Sequence, residues 1–263
     1  MWTAVLLAAA SPLATLAYLV GSYTRALERS ANAWWMGNHR GAAWLHFMFS
    51  RFPRSSMGRR VAAMGAERCE QLASAAPAPG AVFFVGSSTL TYWRHLEADM
   101  AAVGVAPVVN AAFGGSWTEH VLQRAEALCF HWAPSCVCYF CGTNDINVGF
   151  SARAAADNFI AFCERLEAAC PSTPIIYLEP TVTPFVSARG EQRVAQFREA
   201  SALVRAYAGT RAAVSVVGTD GAFTEADWLG DDHHLNDAGH RRLAAVLGPV
   251  VAKATAARGT SKM

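Results

Sequence analysis

The stretch Ala81-Val82-Phe83-Phe84-Val85-Gly86-Ser87-Ser88-Thr89-Leu90 determines how the rest of the chain is organised. Its apolar run predicts a short buried strand that ends at a glycine and turns into a helix. The turn places a serine hydroxyl at the carboxyl edge of a sheet, where the N–H groups of a helix start stabilise negative charge. A serine that only caps the helix is the alternative interpretation. The predicted helix carries an apolar stripe, formed by Leu90, Trp93, Leu96 and Met100.

Alternating strands and helices continue from this stretch to the end of the main domain. Strands are predicted at 82–86, 107–110, 136–141, 174–179 and 213–218, and helices at about 89–102, 117–130, 152–170, 190–208 and 237–254. Five buried strands separated by helices predict an α/β fold, with a parallel sheet covered on both faces. Ligands of such sheets bind beyond the carboxyl ends of the strands. Polar residues at those ends are therefore the candidates for a functional site.

The composition narrows the class of protein. A hydrophobic content of 53% and a charged fraction of 16% in 263 residues exclude a disordered chain. The net charge of +2 gives no case for nucleic acid as a partner. Seven cysteines are an odd number for a disulfide framework. Cys136, Cys138 and Cys141, with His131 nearby, have the spacing of a zinc site, but cysteine in a buried strand is also a small hydrophobe, and we predict no metal and no cofactor.

Two segments are predicted before the main domain. Residues 1–23 are uncharged and have about the length of a helix that spans a bilayer, which predicts an N-terminal hydrophobic helix acting as a membrane anchor. A signal peptide and a packed soluble helix are the alternatives. Seven arginines against one acid between Gly21 and Ala63 predict a cytoplasmic domain after the anchor, with a secreted or soluble cytoplasmic protein as the alternative.

The remaining boundaries follow from changes in composition. Residues 24–79 form an aromatic and arginine-rich region, which either lies at a membrane interface or packs on the main domain. The region ends in an Ala- and Pro-rich linker. Residues 80–255 form the main domain and residues 256–263 a C-terminal tail.

Residues after the first three predicted strands, together with a pair near the end of the chain, supply the parts that acyl transfer requires. Ser88 is the predicted nucleophile. Asp231 and His234 stand three residues apart, so that one turn brings carboxylate and imidazole together and the imidazole takes the serine proton; a metal cluster is the alternative. The N–H groups of Ser88 and Gly115 and the side-chain amide of Asn144 are the predicted oxyanion hole. Glycine and asparagine are also common in tight turns, so a purely structural turn is the alternative for Gly115 and Asn144.

These blocks resemble the SGNH (GDSL-type) hydrolase superfamily, in the branch that has Gly-Ser-Ser and Phe-Gly-Gly-Ser blocks. Most members of the family have an Asp before the nucleophile. This chain has Ser87 at that position, and so does the branch with the Gly-Ser-Ser block. Ala112 replaces the first glycine of the second block. The resemblance implies a three-layer α/β/α flavodoxin-like fold and hydrolysis of esters without a metal. The matching segments stand in the family's order and are 86–88, 113–116, 142–145 and 231–234.

We therefore expect a serine esterase or lipase that cleaves small acyl or lipid esters through an acyl-enzyme on Ser88. Trp117, Pro180 and Thr181 are predicted to border the substrate pocket. An acyltransferase that passes the acyl group to a sugar or lipid hydroxyl is the first alternative. A non-catalytic, membrane-associated binding protein on the same fold is the second.

Overall fold

Five parallel strands form one sheet in the order β2-β1-β3-β4-β5 in a computed structural model that describes residues 56–260. The strands are β1 Val82–Gly86, β2 Val108–Asn110, β3 Cys136–Phe140, β4 Ile175–Leu178 and β5 Val214–Val217. The α-helices are α1 Ser56–Ala75, α2 Ser88–Thr91, α3 Leu96–Ala102, α4 Thr118–Gln123, α5 Ala125–Leu128, α6 Thr143–Asn147, α7 Ala152–Ala169, α8 Pro184–Ser187, α9 Glu191–Ala208 and α10 Asp237–Thr260. Short 3₁₀ helices lie at Phe130–Trp132 and Glu225–Asp227.

The sheet is buried on both faces, which explains why its strands read as continuous apolar runs. Every residue of β1, β3 and β4 is buried. One face packs on α2, α3 and α10, and the other packs on α7, where the Phe159 ring contacts Tyr139 and Tyr177 at tilted angles. Each strand lies within one residue of its predicted bounds, and the predicted α/β fold with a five-stranded parallel sheet is confirmed.

Two predicted helices are interrupted. The helix predicted over 89–102 splits into α2 and α3, because the N–H groups of Tyr92 and Trp93 turn back to the carbonyls of Ser88 and Leu90 and close α2 after one turn. The apolar stripe of this segment is nevertheless fully buried. The helix predicted over 117–130 likewise divides into α4, α5 and a 3₁₀ turn.

Helix α1, which lies within the region predicted at 24–79, contacts the sheet domain. The Arg68 guanidinium donates to the carbonyl of Ala112 at 3.1 Å, and Arg124 donates to the carbonyl of Ala62 at 3.0 Å. Between residues 56 and 260 the helices are all too short or too polar to cross a bilayer. The hydrophobic helix predicted at 1–23 lies outside the described residues.

Candidate active site

Ser88, His234 and Asp231 form a chain of hydrogen bonds at the carboxyl edge of the sheet. The Oγ of Ser88 lies 2.8 Å from Nε2 of His234, and Nδ1 of His234 lies 2.6 Å from Oδ2 of Asp231. An ionised carboxylate can only accept, so the proton of a neutral imidazole sits on Nδ1 and Nε2 faces the serine hydroxyl as an acceptor. This arrangement can remove the proton from Ser88.

The turn after β1 depends on Gly86. Its φ is +155°, and a Cβ atom at this position would lie 1.9 Å from the carbonyl oxygen of Phe140 on the neighbouring strand. The N–H of Ser87 donates to that same carbonyl at 3.1 Å, while the Ser87 side chain makes no capping bond. The chain then enters α2 at Ser88, whose N–H, at the first position of a helix, has no intrahelical acceptor and is free to bind an anion.

The loop that carries Asp231 and His234 is held together by local bonds. Oδ1 of Asp231 accepts the N–H groups of His233 and His234, both at 3.0 Å. The N–H of Leu229 donates to the carbonyl of His234 at 2.8 Å and closes the loop. Burial raises the pKa of Asp231, but the hydrogen bonds from His234 and His233 outweigh this and bring the pKa below its ordinary value. The carboxylate is therefore ionised at neutral pH.

The predicted oxyanion donors lie at the ends of three adjacent strands. Gly115, in the loop after β2, has a φ of +72°, a conformation that strains other residues. Asn144 is buried in α6 after β3, and its Nδ2 donates to the carbonyl of Ser116 at 3.0 Å. An amide nitrogen carries two hydrogens, so the second remains for a ligand oxygen. The topology thus brings Gly115, Ser88 and Asn144 to the same sheet edge.

A buried polar network beneath these donors was not anticipated from the sequence. The hydroxyl of Ser116 donates to the carbonyl of Gly86 at 3.0 Å. Asp145 accepts the N–H of Thr118 with both carboxylate oxygens at 3.1 Å and its hydroxyl at 2.5 Å. Burial raises the pKa of Asp145 to about 6 against the opposing effect of the Thr118 bonds. No sequence signal joins these pairs, because their members are about 30 residues apart.

Two further side chains lie close to Ser88 and His234. Tyr92 packs edge-on against His234, with ring centroids 4.7 Å apart. Its position four residues after Ser88, on the same helix face, is a signal that could have identified it. His240 is buried against Trp93, and its Nε2 donates to the carbonyl of Thr89 at 3.0 Å. Burial lowers the pKa of His240, so it is neutral here and fixes the turn after the nucleophile.

The three predicted pocket residues lie in different surroundings. Trp117 is buried and stacks on His120, with centroids 4.5 Å apart, and Pro180 is also buried. Thr181 is half-buried, and its hydroxyl lies 2.7 Å from that of Thr219. Thr181 alone of the three lines a small cavity next to Thr89, whose walls are Thr89, Phe140, Thr143, Thr181, Thr183, Trp228, His233 and Leu235.

The cysteines considered for zinc are part of the core. Cys136 and Cys138 lie within β3, and the buried Cys141 donates its S–H to the carbonyl of Ser116 at 3.5 Å. Burial raises the pKa values of the Cys138 and Cys141 thiols, which disfavours the thiolate that zinc requires. Among residues 56–260, no group of three or more His, Cys, Asp or Glu side chains is placed to hold a metal ion.

Solved structures of similar fold come from bacteria and a fungus. A GDSL-like lipase from Bacteroides thetaiotaomicron VPI-5482 is 18% identical with a TM-score of 0.59, over 71% of this chain and 98% of its own. A protein provisionally named an acylhydrolase, from Bacteroides fragilis NCTC 9343, is 19% identical with a TM-score of 0.60, over 72% and 96%. A carbohydrate esterase of family 3 from Talaromyces cellulolyticus is 16% identical with a TM-score of 0.53, over 67% and 98%. At these identities the likeness establishes the fold.

Sequence comparison establishes the family. None of the curated proteins matches the chain. The model of the GDSL-like Lipase/Acylhydrolase family matches residues 83–242, which is more than half of the chain and contains all the residues of the Ser88 site. The chain therefore belongs to the GDSL-like lipase/acylhydrolase family and is a carboxylic ester hydrolase.

Proposed function

We propose that Ser88 is the nucleophile of a serine esterase that cleaves small acyl or lipid esters through an acyl-enzyme. The observation that carries this proposal is the hydrogen-bonded chain from Ser88 Oγ through His234 to Asp231, at 2.8 Å and 2.6 Å. A nucleophile within hydrogen-bond reach of a base, which is itself oriented by a third group, is the signature of covalent catalysis.

The reaction proceeds in two steps, formation of the acyl-enzyme and its hydrolysis. As Ser88 Oγ bonds to the ester carbonyl carbon, Nε2 of His234 takes the hydroxyl proton, and the carbonyl oxygen becomes an oxyanion. Collapse of this intermediate breaks the bond to the alcohol, which leaves with the proton from His234. Water then attacks the acyl-enzyme in the same way, and the acid is released as Ser88 regains its proton.

Fixed donors and the carboxylate share the charge in these steps. The N–H groups of Ser88 and Gly115 and the second amide hydrogen of Asn144 donate to the oxyanion. The ionised Asp231 stabilises the imidazolium that His234 becomes. Mutational data on such sites attribute about 10²- to 10³-fold in kcat to one oxyanion donor.

The surroundings of the site offer both polar and apolar surface to an ester. A small cavity bordered by Thr89 and His233, the neighbours of Ser88 and His234, carries four threonines and three apolar side chains, Phe140, Trp228 and Leu235. Outside it, Tyr92 and Leu229 are 47% and 40% exposed and offer apolar surface to an ester.

We further propose that residues 1–23 anchor the enzyme in a membrane and that the catalytic domain is cytoplasmic. The uncharged sequence of this segment and the arginines that follow it support the proposal. Extraction of expressing-cell membranes with alkaline carbonate should leave the full-length chain in the pellet. Release into the supernatant would contradict an anchor.

Substitution of Ser88 tests the assignment. Ser88→Ala should reduce hydrolysis of p-nitrophenyl acetate by at least about 10³-fold and abolish labelling by a fluorophosphonate. Ser87→Ala is the matched control, because the Ser87 side chain is buried and makes no capping bond, and it should stay within about threefold of wild type. Undiminished activity of Ser88→Ala would refute the assignment. Product partitioning between water and an added alcohol separates a hydrolase from an acyltransferase.

A further inference from the structure

The oxyanion donors rest on buried hydrogen bonds that the reaction steps do not use. These bonds join the loop between β2 and α4 to α6 and to the end of β1. Ser116, Asn144 and Asp145 are 0%, 3% and 2% exposed, so water does not compete for their polar atoms. Bonds in such surroundings define geometry more strictly than bonds at the surface.

Ser116 contacts both sides of the site. Its hydroxyl donates to the carbonyl of Gly86, the last residue of β1 and two residues before Ser88, at 3.0 Å. Its carbonyl accepts the Asn144 amide at 3.0 Å. Ser116 also follows Gly115 directly, so its position constrains the Gly115 N–H. One residue therefore connects the nucleophile's strand to both of the other oxyanion donors.

The bond to Ser116 fixes the direction in which Asn144 donates. The two hydrogens of an amide nitrogen lie in one plane, so occupying one of them with the Ser116 carbonyl sets the direction of the other. The Ser116 hydroxyl in turn fixes that carbonyl relative to β1. Oxyanion donors act at 2.7–3.1 Å from the developing charge, and a displacement of about 1 Å can reduce the rate by about 10²-fold.

A second tether holds the other end of the loop to the same helix. Thr118 donates its N–H and its hydroxyl to Asp145, the residue after Asn144. Asn158 of α7 donates to the Thr118 hydroxyl at 3.0 Å. The segment from Gly115 to Thr118 is thus fixed at both ends.

We propose that Ser116 is a positioning residue that sets the geometry of the oxyanion hole. Its hydroxyl holds the loop to the strand of the nucleophile, and its carbonyl aims the Asn144 amide at the ester oxygen. The inference rests on the proposed function, because an oxyanion hole matters only if Ser88 attacks an ester.

A double-mutant cycle tests this role. Ser116→Ala should lower kcat for p-nitrophenyl acetate by about 10- to 100-fold, with KM changed less than about threefold, because the loss is confined to the transition state. In an Asn144→Ala background the same change should lower kcat by a smaller factor, about two- to fivefold, since only the Gly115 donor is then left for Ser116 to position. Equal losses in both backgrounds would show a merely structural role and overturn the proposal.

Thr173→Val is the matched control for loss of a buried hydroxyl. The Thr173 hydroxyl donates to the carbonyl of Pro134 at 3.2 Å, before β4 and β3 and so at the opposite sheet edge. Thr173→Val should destabilise the fold about as much as Ser116→Ala does and leave kcat unchanged. A loss of kcat equal to that of Ser116→Ala would overturn the proposal. Ser116→Cys, nearly isosteric with a weaker donor, should show an intermediate kcat and serves if the alanine variant does not fold. Ser88→Ala is assayed alongside: if that variant stays active, the proposed function fails, independently of the cycle.

Discussion

The two walls that flank Ser88 are built in opposite ways. In the acid–base wall, residues 231–234, the Asp231 side chain accepts hydrogen bonds from the two histidines that follow it, and it is 47% exposed. This loop is also joined to α8, because the N–H of Phe185 donates to the carbonyl of Asp232 at 3.0 Å. The oxyanion wall, residues 115–118 and 143–145, is buried except for the half-buried Gly115, and the bonds of Ser116, Thr118, Asn144 and Asp145 join segments 25 residues or more apart. The contrast suggests that a proton relay can be made within one turn, whereas stabilising an anion requires dipoles fixed out of water.

The largest expected effect comes from the acid–base wall. Asp231→Asn should lower kcat/KM by about 10³- to 10⁴-fold, because an amide that donates to Nδ1 favours the wrong imidazole tautomer. Its effect on the thermal midpoint should be small, since the side chain is half exposed. Steady-state kinetics and thermal unfolding of the same preparation measure both quantities.

The adjacent Asp232 provides the control for this substitution. Asp232 is exposed and has a φ of +55°, which asparagine tolerates. Asp232→Asn should therefore keep activity within about threefold of wild type. If the two variants lost activity equally, the effect would be one of general charge at this loop and not of His234 orientation.

The next largest effect comes from the oxyanion wall. Asn144→Ala should lower kcat by about 10²- to 10³-fold, through loss of one donor to the oxyanion. It should also reduce stability by about 1–3 kcal/mol, because the buried Ser116 carbonyl loses its amide donor. The oxyanion wall would then differ from the acid–base wall in linking activity to stability.

Asn147, one turn along α6, is the matched control for Asn144. It is also buried, but neither its amide nitrogen nor its oxygen has a hydrogen-bond partner within the described residues. Asn147→Ala should leave kcat within about threefold and stability nearly unchanged or higher, because no bond is lost. A kinetic loss equal to that of Asn144→Ala would indicate that truncation of α6 side chains in general disturbs the site.

The same contrast explains what could be predicted from the sequence. Strand bounds were recoverable because strands buried on both faces are continuous apolar runs, and the Asp231–His234 pair because its spacing is local. The break between α2 and α3 could not be predicted, since the apolar stripe can be buried without a continuous helix. Ser116 lies in the matching segment 113–116, yet its partner Gly86 is identified only once the sheet has brought the two together.

The smallest expected effect separates the walls by the pH dependence of stability. Burial raises the pKa of Asp145 to about 6, whereas an aspartate in the unfolded chain titrates near 3.8. Between these values the folded state holds a proton that the unfolded state has lost, so stability should fall as pH rises. The full difference is about 3 kcal/mol, and about 2 kcal/mol of it lies between pH 4.5 and pH 7. Asp231 behaves oppositely: its lowered pKa contributes stability above 3.8 that is lost only as pH falls further.

Urea unfolding of wild type and Asp145→Asn at pH 4.5 and pH 7 tests the behaviour of Asp145. We compare the difference in unfolding free energy between wild type and Asp145→Asn at the two pH values. This difference should favour wild type by about 2 kcal/mol more at pH 4.5 than at pH 7, because the Asp145 carboxyl takes up a proton in the folded state and the Asn amide does not. If the Asp145 difference were the same at both pH values, the carboxyl would be ionised throughout, and the Thr118 N–H and hydroxyl donors would outweigh its burial.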